Sequence, residues 1–517
     1  MQVKFNHINI KQMKRILLKQ LLVAVTIVML FTQCKKELLT IEPTIPLISV
    51  DNYYQTEAQA INAVNATYTP LSAIYNGAAW HLGDIMSDDA DLGGGGGGDG
   101  AETAELDNFS VTSFNPIINI MWAQCYYGIL RSNLVVERVP LVPVMNEDVR
   151  KRCVGEGRFL RALYYYHLVR LFGDVPLYTN VITAEESANI ARSPKEQVYT
   201  QIITDLDSAI AKLPDTYDAD NKGRATKGAA QGLLASVYLT LGDKANAALA
   251  AKAVIDNSAA YGYGLWSDYA DNFNLDKENG KESLFEVQYR SGGGTFSIYS
   301  VGSNINTFFG PREQRVVAER GYGFEVPTRD FVDQYEKTGA AYSTIIDLRR
   351  NRSIWIPGDS YGTYVQPASL IGSPFGFNVK KYFVPVDNTN GDAGQWRSAL
   401  NVPIMRYAEV LLTYAEAAGP VMGKPYADEV RARAGLAPLP TGLSDAQWLE
   451  AMYKERRLEF AFEMHRWYDL LRHPDPNYFI TVMTAAGKTN IQPKHRYMPI
   501  PQAERDKNSS LTQNPGY

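Results

Sequence analysis

The stretch from Gly155 to Leu177 reads Gly-Glu-Gly-Arg-Phe-Leu-Arg-Ala-Leu-Tyr-Tyr-Tyr-His-Leu-Val-Arg-Leu-Phe-Gly-Asp-Val-Pro-Leu. Within it Leu160, Leu163, Tyr164, His167, Leu168 and Leu171 follow the three- and four-residue steps of one helical face, and Gly173 stands where a helix stops. The same spacing returns in Ala230, Leu233, Leu234, Val237, Tyr238 and Leu241, and again in Tyr407, Val410, Leu411, Tyr414, Ala415 and Ala418. After the second copy Gly242 ends the helix, and Asp243 can cap another that carries Ala247, Ala251, Val254 and Ile255 on one face. Leu234, Ala235, Tyr238 and Ala247 place large, small, aromatic and small residues as a tetratricopeptide hairpin does, so that two helices approach closely. Helical patterns at 52–75, 117–138, 146–172, 193–212, 403–418 and 445–472 extend this into an array. The expected fold is mainly α, a scaffold of tetratricopeptide-like hairpins with a less regular, loop-rich C-terminal part containing short strands.

Composition narrows the function classes. The 517 residues are 45% hydrophobic and 21% charged, as in an ordinary globular protein. A formal net charge of −5 creates no field that would gather a polyanion, so nucleic acid is not an expected partner. The 3 Cys are too few for a disulfide scaffold, whereas 32 Tyr and 7 Trp supply many rings able to stack. Lys11, Lys14, Arg15 and Lys19 precede an apolar run, Leu21 to Phe31, that falls short of the roughly 20 residues needed to cross a bilayer. It reads as the core of a signal peptide ending at Leu30-Phe31-Thr32-Gln33-Cys34, which looks like a bacterial lipobox, although Gln33 stands where a small residue is usual. Cys34 is the expected lipidation site and 1–33 the signal peptide, with 1–12 an upstream extension before a compact start at Met13; 34–50, with Pro43 and Pro46, forms a tether.

The region 257–402 has a different texture, with Gly292 to Gly294, several Pro and the short run Leu284 to Tyr289, and is expected to hold irregular structure with short strands. Gly93 to Gly98, flanked by Asp88, Asp89, Asp91 and Asp99, reads as a mobile surface loop; a calcium loop is the alternative, although the acidic spacing fits neither an EF-hand nor a Gly-Gly-x-Gly-x-Asp repeat. Chemistry-bearing motifs are missing. The six His show no metal-ligand spacing, and no phosphate-binding glycine loop or nucleophile elbow occurs, so no metal, cofactor or catalytic residue is assigned. His167 reads as a packed core residue, and Cys125 and Cys153 as buried thiols, with a disulfide as the other option. Glu455, Glu459 and Glu463 line up at four-residue steps, but glycosidases need two carboxylates facing one another across a sugar. A salt-bridged helix face with Arg456, Arg457 and Arg466 is the expected role.

Six blocks, in order, resemble the SusD/RagB family of nutrient-binding outer-membrane lipoproteins. They are Cys34 with Ile41-Glu42-Pro43; Gly155 through Leu177; Arg224-Ala225-Thr226-Lys227; Pro403 through Leu412 with Tyr414-Ala415-Glu416-Ala417; Glu455 through Glu463 with Arg466 through Leu470; and Pro499-Ile500-Pro501 with Gln513 through Tyr517. The resemblance implies an N-terminal helical region at 51–256, a variable insertion at 257–402 carrying ligand loops, and a C-terminal SusD/RagB region at 403–517. It also implies a non-enzymatic protein, lipid-anchored in the outer membrane and surface-exposed. Such a protein captures oligosaccharide, or alternatively peptide, for a SusC/RagA-like TonB-dependent transporter. A surface glycosidase and a structural adaptor are the readings from other classes.

Sugars present apolar C–H faces that stack on aromatic rings, so exposed Trp and Tyr mark the expected site. Trp122, Trp448 and Trp467 fall in helical stretches and read as core. Trp266, Trp355 and Trp396, with Tyr361 and Tyr364, lie in the insertion and are the ligand-binding candidates; Trp80, just before the glycine run, is a weaker one.

Overall fold

The computed structural model describes residues 13–15, 17–20, 53–96, 98–292, 295–314, 316, 320–385 and 396–517. It divides into a unit Met1–Tyr53, whose described residues 13–15 and 17–20 are helical, and a unit Tyr54–Tyr517. The run Leu21 to Phe31, Cys34 and the tether lie outside the described residues.

The second unit opens with helices stacked in chain order. α1 (Glu57–Gly77) begins in a capping box between Thr56 and Gln59. α2 (Pro116–Arg138) has Pro at its first position and Asn115 as cap, and α3 (Glu147–Phe172) runs from Asn146 to Gly173 at φ 70°. α4 (Lys195–Ile210), α5 (Lys227–Thr240) and α6 (Lys244–Asp256) follow, each packed against its predecessor. Asp243 caps α6 through the Asn246 amide, as its spacing predicts. The close crossing of α2 and α3 needs Gly128, where an added Cβ would sit 2.2 Å from the Tyr164 ring. α7 (Tyr407–Met422), broken at Gly419 and Pro420, packs on α6; α8 (Lys424–Arg433) and α9 (Asp445–Glu459) pack on α7. Three further helices, α10 (Arg466–Leu471), α11 (Tyr478–Ala485) and α12 (Gln502–Lys507), complete the C-terminal part.

Strands are short and paired in twos. They are β1 (Ala90–Gly93) with β3 (Phe324–Pro327), β2 (Ser283–Val287) with β8 (Val402–Arg406), β4 (Ile354–Trp355) with β7 (Asn378–Val379), and β5 (Ser360–Tyr361) with β6 (Tyr364–Val365), all antiparallel. The mainly α architecture matches expectation. The sequence pattern at 403–418 is half strand, because Pro403 to Arg406 pair with β2 before α7 begins. That at 445–472 is broken at Phe460 to His465, where Phe462 and Met464 adopt positive φ.

The recurring sequence blocks have structural tasks. Arg161 is buried, with Nε and Nη2 on the Asp205 carboxylate at 2.7 and 2.6 Å and Nη1 on Asn133 Oδ1 at 2.8 Å, tying α3 to α4 and α2. The C-terminal block straps the end of α3: Met498 N–H donates to the Leu171 carbonyl at 2.7 Å, and Asn514 Nδ2 donates to the Phe172 carbonyl at 3.0 Å. His167 is packed edge-on to Tyr75 at 6.0 Å, and burial pushes its imidazole down to about 3. Cys125 and Cys153 are buried free thiols, and Trp122, Trp448 and Trp467 are core.

The expected salt-bridged surface face is instead an interior charge cluster. Glu455, Glu459 and Glu463 are buried, and α9 ends at Glu459, so Glu463 lies beyond the helix. Their partners are Arg349, Arg406, Arg431, Arg433 and Lys381, brought from distant segments. Arg456 turns to Asp469, while Arg457 and Arg466 hold Asp88 and Asp89. The glycine run also differs from a free loop. Gly93 closes β1, Gly94 N–H donates to the Gly323 carbonyl at 2.7 Å, and an added Cβ on Gly372 would sit 2.1 Å from the Gly94 oxygen. Glycines here allow three backbones to approach; Gly98 and Asp99 are exposed.

Candidate functional site

The short helix Ile305–Phe309 organises the aromatic side chains around it. Asn76, near the end of α1, receives the Asn304 N–H at 2.9 Å and donates to the Gly302 carbonyl at 3.2 Å, fixing the start of this helix. Asn306 exchanges hydrogen bonds with the Val384 backbone at 3.1 and 3.2 Å, and Thr307 Oγ1 accepts the Trp396 N–H at 3.2 Å. Phe308 is thereby placed 5.0 Å from the Trp396 ring and 5.4 Å from Trp80. Trp396 also contacts Phe296 at 5.2 Å and Tyr322 at 5.1 Å. Phe296 is 53% exposed, and Phe308 and Tyr322 are half-buried. Trp396 has φ 66°, a conformation that a bulky residue adopts only when its surroundings hold it there.

Polar groups rim this cluster beside the glycine run. Arg312 Nη1 donates to Asp99 Oδ2 at 2.6 Å and to the Tyr322 carbonyl at 3.1 Å, and the exposed Arg320 guanidinium lies 5.2 Å from the Tyr322 ring. An apolar platform bordered by Arg, Asp and amide groups can stack a sugar ring and bind its hydroxyls.

The six ring candidates separate into three places. Trp80 is 1% exposed and lies beneath Phe308, stacked on His81 at 3.4 Å, so it supports the platform and offers no face to a ligand. Trp396 lies in the platform but is only 8% exposed. Trp355, Tyr361 and Tyr364 form a second cluster with Phe383: ring centroids are 5.3 Å apart for Trp355 and Phe383, 5.1 Å for Tyr361 and Phe383, and 5.9 Å for Trp355 and Tyr364. Trp355 is fully buried there, packed by Tyr364, Phe383 and Lys380; of the three candidates only Tyr361 is well exposed. Trp266 stands apart, half-buried, with the ammonium groups of Lys277 and Lys281 at 5.3 and 4.9 Å from its ring. Sequence reading missed Phe296, Phe308 and Tyr322. The signal available was Phe308-Phe309 with Phe296 and Tyr322 close by in a glycine-rich neighbourhood.

No catalytic arrangement emerges from the carboxylates singled out by their spacing. Glu455, Glu459 and Glu463 are buried and each is held by two or more cations.

Comparison with known proteins identifies the family. Residues 281–517 match the profile of the SusD family, and residues 49–239 a profile described as starch-binding associating with outer membrane. SusD-like protein P2 of Formosa agariphila is 30% identical over 501 residues, spanning 92% of this chain and 96% of its own. Among solved structures, a laminarin-binding SusD-like protein shares 30% identity at a TM-score of 0.76, covering 90% of this chain and 100% of its own. Surface glycan-binding protein A from Bacteroides thetaiotaomicron, solved with laminarihexaose, shares 25% identity at a TM-score of 0.73, covering 88% and 99%. These relatives are similar over nearly their full lengths, and two of the solved ones are described as glycan binders. The chain belongs to the SusD family.

Proposed function

We propose that the protein captures oligosaccharide on the platform of Phe296, Phe308, Tyr322 and Trp396 and delivers it to a SusC/RagA-like TonB-dependent transporter in the outer membrane. Lipidated Cys34 provides the anchor, and the loops of 257–402 carry the ligand contacts. The observation that carries this reading is the exposed aromatic cluster beside the glycine run, with Trp396 held in a left-handed conformation at its centre. The glycan ligands named for the solved relatives support it. The role is binding without catalysis, in keeping with the neutralised carboxylates of the interior cluster.

Isothermal titration with laminarihexaose, other neutral oligosaccharides and peptides tests the proposal. Phe296→Ala is expected to weaken glycan binding about tenfold or more while leaving thermal unfolding unchanged, since the ring is half in solvent. Unchanged affinity would remove the platform from consideration, and binding of peptides alone would favour the peptide reading. Cys34→Ser is expected to release the protein from the membrane fraction, and loss of co-purification with the transporter would follow if anchoring aids delivery.

A further inference from the structure

The second aromatic cluster borders a cleft of about 730 Å³ whose walls include Tyr361, Phe383, Arg352 and Lys380. Its apolar side is built from the ring contacts of Trp355, Phe383 and Tyr361, with Tyr361 39% exposed. Lys380 Nζ lies 4.2 Å above the buried Trp355 ring, held there as the chain leaves β7.

Among the described residues the charges of this cleft are unbalanced. Arg433, also on its wall, is neutralised by Glu282 and Glu459, and neighbouring Arg350 makes a two-pronged contact with Asp359 at 2.9 Å through both oxygens. Arg352 and Lys380 have no such partner: among the described residues neither has a carboxylate within 4.0 Å. Arg352 Nη2 donates to the Phe273 carbonyl, and its buried Nε makes no hydrogen bond. Burial pushes the Arg352 guanidinium down to about 10, outweighing the pull of Asp268, and lowers the Lys380 ammonium, where repulsion from Arg350 and Arg352 adds to it and the more distant Asp359 opposes it. Among the described residues Asp268 is the one acidic residue on the cleft wall; it is exposed and accepts the Ala270 N–H at 2.9 Å. Among the described residues Arg352 and Lys380 thus share the wall with one exposed carboxylate, and partly buried cations that no carboxylate contacts directly are stabilised by an anion that enters between them.

We propose that this cleft is a second ligand site for an acidic oligosaccharide, with a sugar ring stacked on Tyr361 and Phe383 and its carboxylate or sulfate ester held by Lys380 and Arg352. The inference rests on the reading of the chain as an oligosaccharide binder but assigns a different surface and a charged ligand class. A neutral platform at Phe296 and an anion-selective cleft at Lys380 would give the protein two classes of glycan contact.

Titration of the full-length protein with tri-galacturonate, a sulfated carrageenan hexasaccharide and neutral laminarihexaose tests the assignment. One or both acidic sugars are expected to bind with an affinity that falls as salt rises, and the stronger of the two identifies carboxylate or sulfate as the preferred group. Lys380→Met, which keeps an unbranched chain on Trp355, and Arg352→Gln are each expected to weaken acidic binding about tenfold and to leave laminarihexaose unaffected. Phe296→Ala is expected to do the reverse. If Arg352→Gln lowers the melting temperature, Lys380→Met and the salt series on the unaltered protein still decide the matter. Acidic sugars that fail to bind, bind without salt dependence, or bind Lys380→Met as tightly as the native chain overturn the assignment. Loss of laminarihexaose binding to the unaltered protein would instead count against the platform.

Discussion

Replacing Arg406 by Met should unfold the protein far more easily than any surface change. Arg406 is 2% exposed, at the end of β8, and all three of its nitrogens donate: Nε to Glu463 Oε2 at 2.7 Å, Nη1 to Glu282 and Glu459 at 2.8 Å, and Nη2 to Glu463 Oε1 at 2.8 Å. Met fills much of the volume, so the main loss is electrostatic. Three buried carboxylates are left to Arg433, Arg349 and Lys381. Removing one member of a buried, hydrogen-bonded ion pair costs about 3–5 kcal/mol, because the remaining charge stays desolvated. The pH dependence carries a sign. In the native protein Arg406 helps to hold Glu459 and Glu463 below the usual carboxylate range against the opposing effect of burial. Their stabilisation is therefore present above the unfolded pKa and lost as pH falls through the folded one. Without Arg406, burial dominates and the folded pKa of Glu463 rises above its unfolded value. The deficit should then be full near pH 7.5 and shrink as acid supplies a proton near pH 5. Urea unfolding of native and Arg406→Met protein at both pH values measures this, with Arg406→Met/Glu463→Gln as a partial rescue. A deficit below about 1 kcal/mol at neutral pH, or one that grows on acidification, would refute the reasoning.

Other outcomes follow from burial and close approach. Trp355→Ala should cost about 3–5 kcal/mol in unfolding free energy, since the indole is fully buried; a small thermal effect would return Trp355 to the ligand surface. Burial pushes the Asp84 carboxyl up to about 8, so its proton loss opposes folding progressively as pH rises from about 4 towards 8. Asp84→Asn, whose amide oxygen can still accept the Met464 N–H, should gain stability relative to the native chain over that window, measured as melting temperature against pH. Gly372→Ala places a methyl 2.1 Å from the Gly94 oxygen at φ 76°, and should lower stability by about 1–3 kcal/mol and weaken binding at the adjacent platform.

The helical scaffold was legible because its determinants are local. The face from Leu160 to Leu171, Gly173 at its end, and Asp243 as a cap all act within a turn or two of themselves. What could not be read depends on distant partners. Pro403 to Arg406 become a strand only because Ser283 to Val287 arrive beside them, and the break after Glu459 is held in part by Asp84 Oδ2 accepting the Met464 N–H at 2.8 Å. Spacing showed that Glu455, Glu459 and Glu463 share a direction, but not that the direction is inward or that Arg349 and Arg406 meet them there. The proposed ligand surface was legible only as composition. Trp355 and Tyr361 have similar glycine-rich surroundings in sequence and both lie in paired strands, yet one is covered by Tyr364, Phe383 and Lys380 and the other is 39% exposed. Phe296 became visible only when Phe308 and Trp396 were brought beside it.

The pairing of β2 with β8 also bears on how such a chain can change. Val287 sits opposite Val402, and Asn401 Oδ1 accepts the Tyr289 N–H at 2.7 Å, so both ends of the intervening segment are clamped at one point on the helical body. The entropy of closing a clamped loop grows only with the logarithm of its length, at about 0.6 kcal/mol per doubling. Exposed stretches between the clamps, away from buried positions such as Arg349, Trp355 and Lys381, can therefore be lengthened, shortened or exchanged at little cost to the scaffold, provided the pair of strands is kept. A binding surface carried on such a segment can be rewritten for a new ligand while the helices beneath it stay as they are.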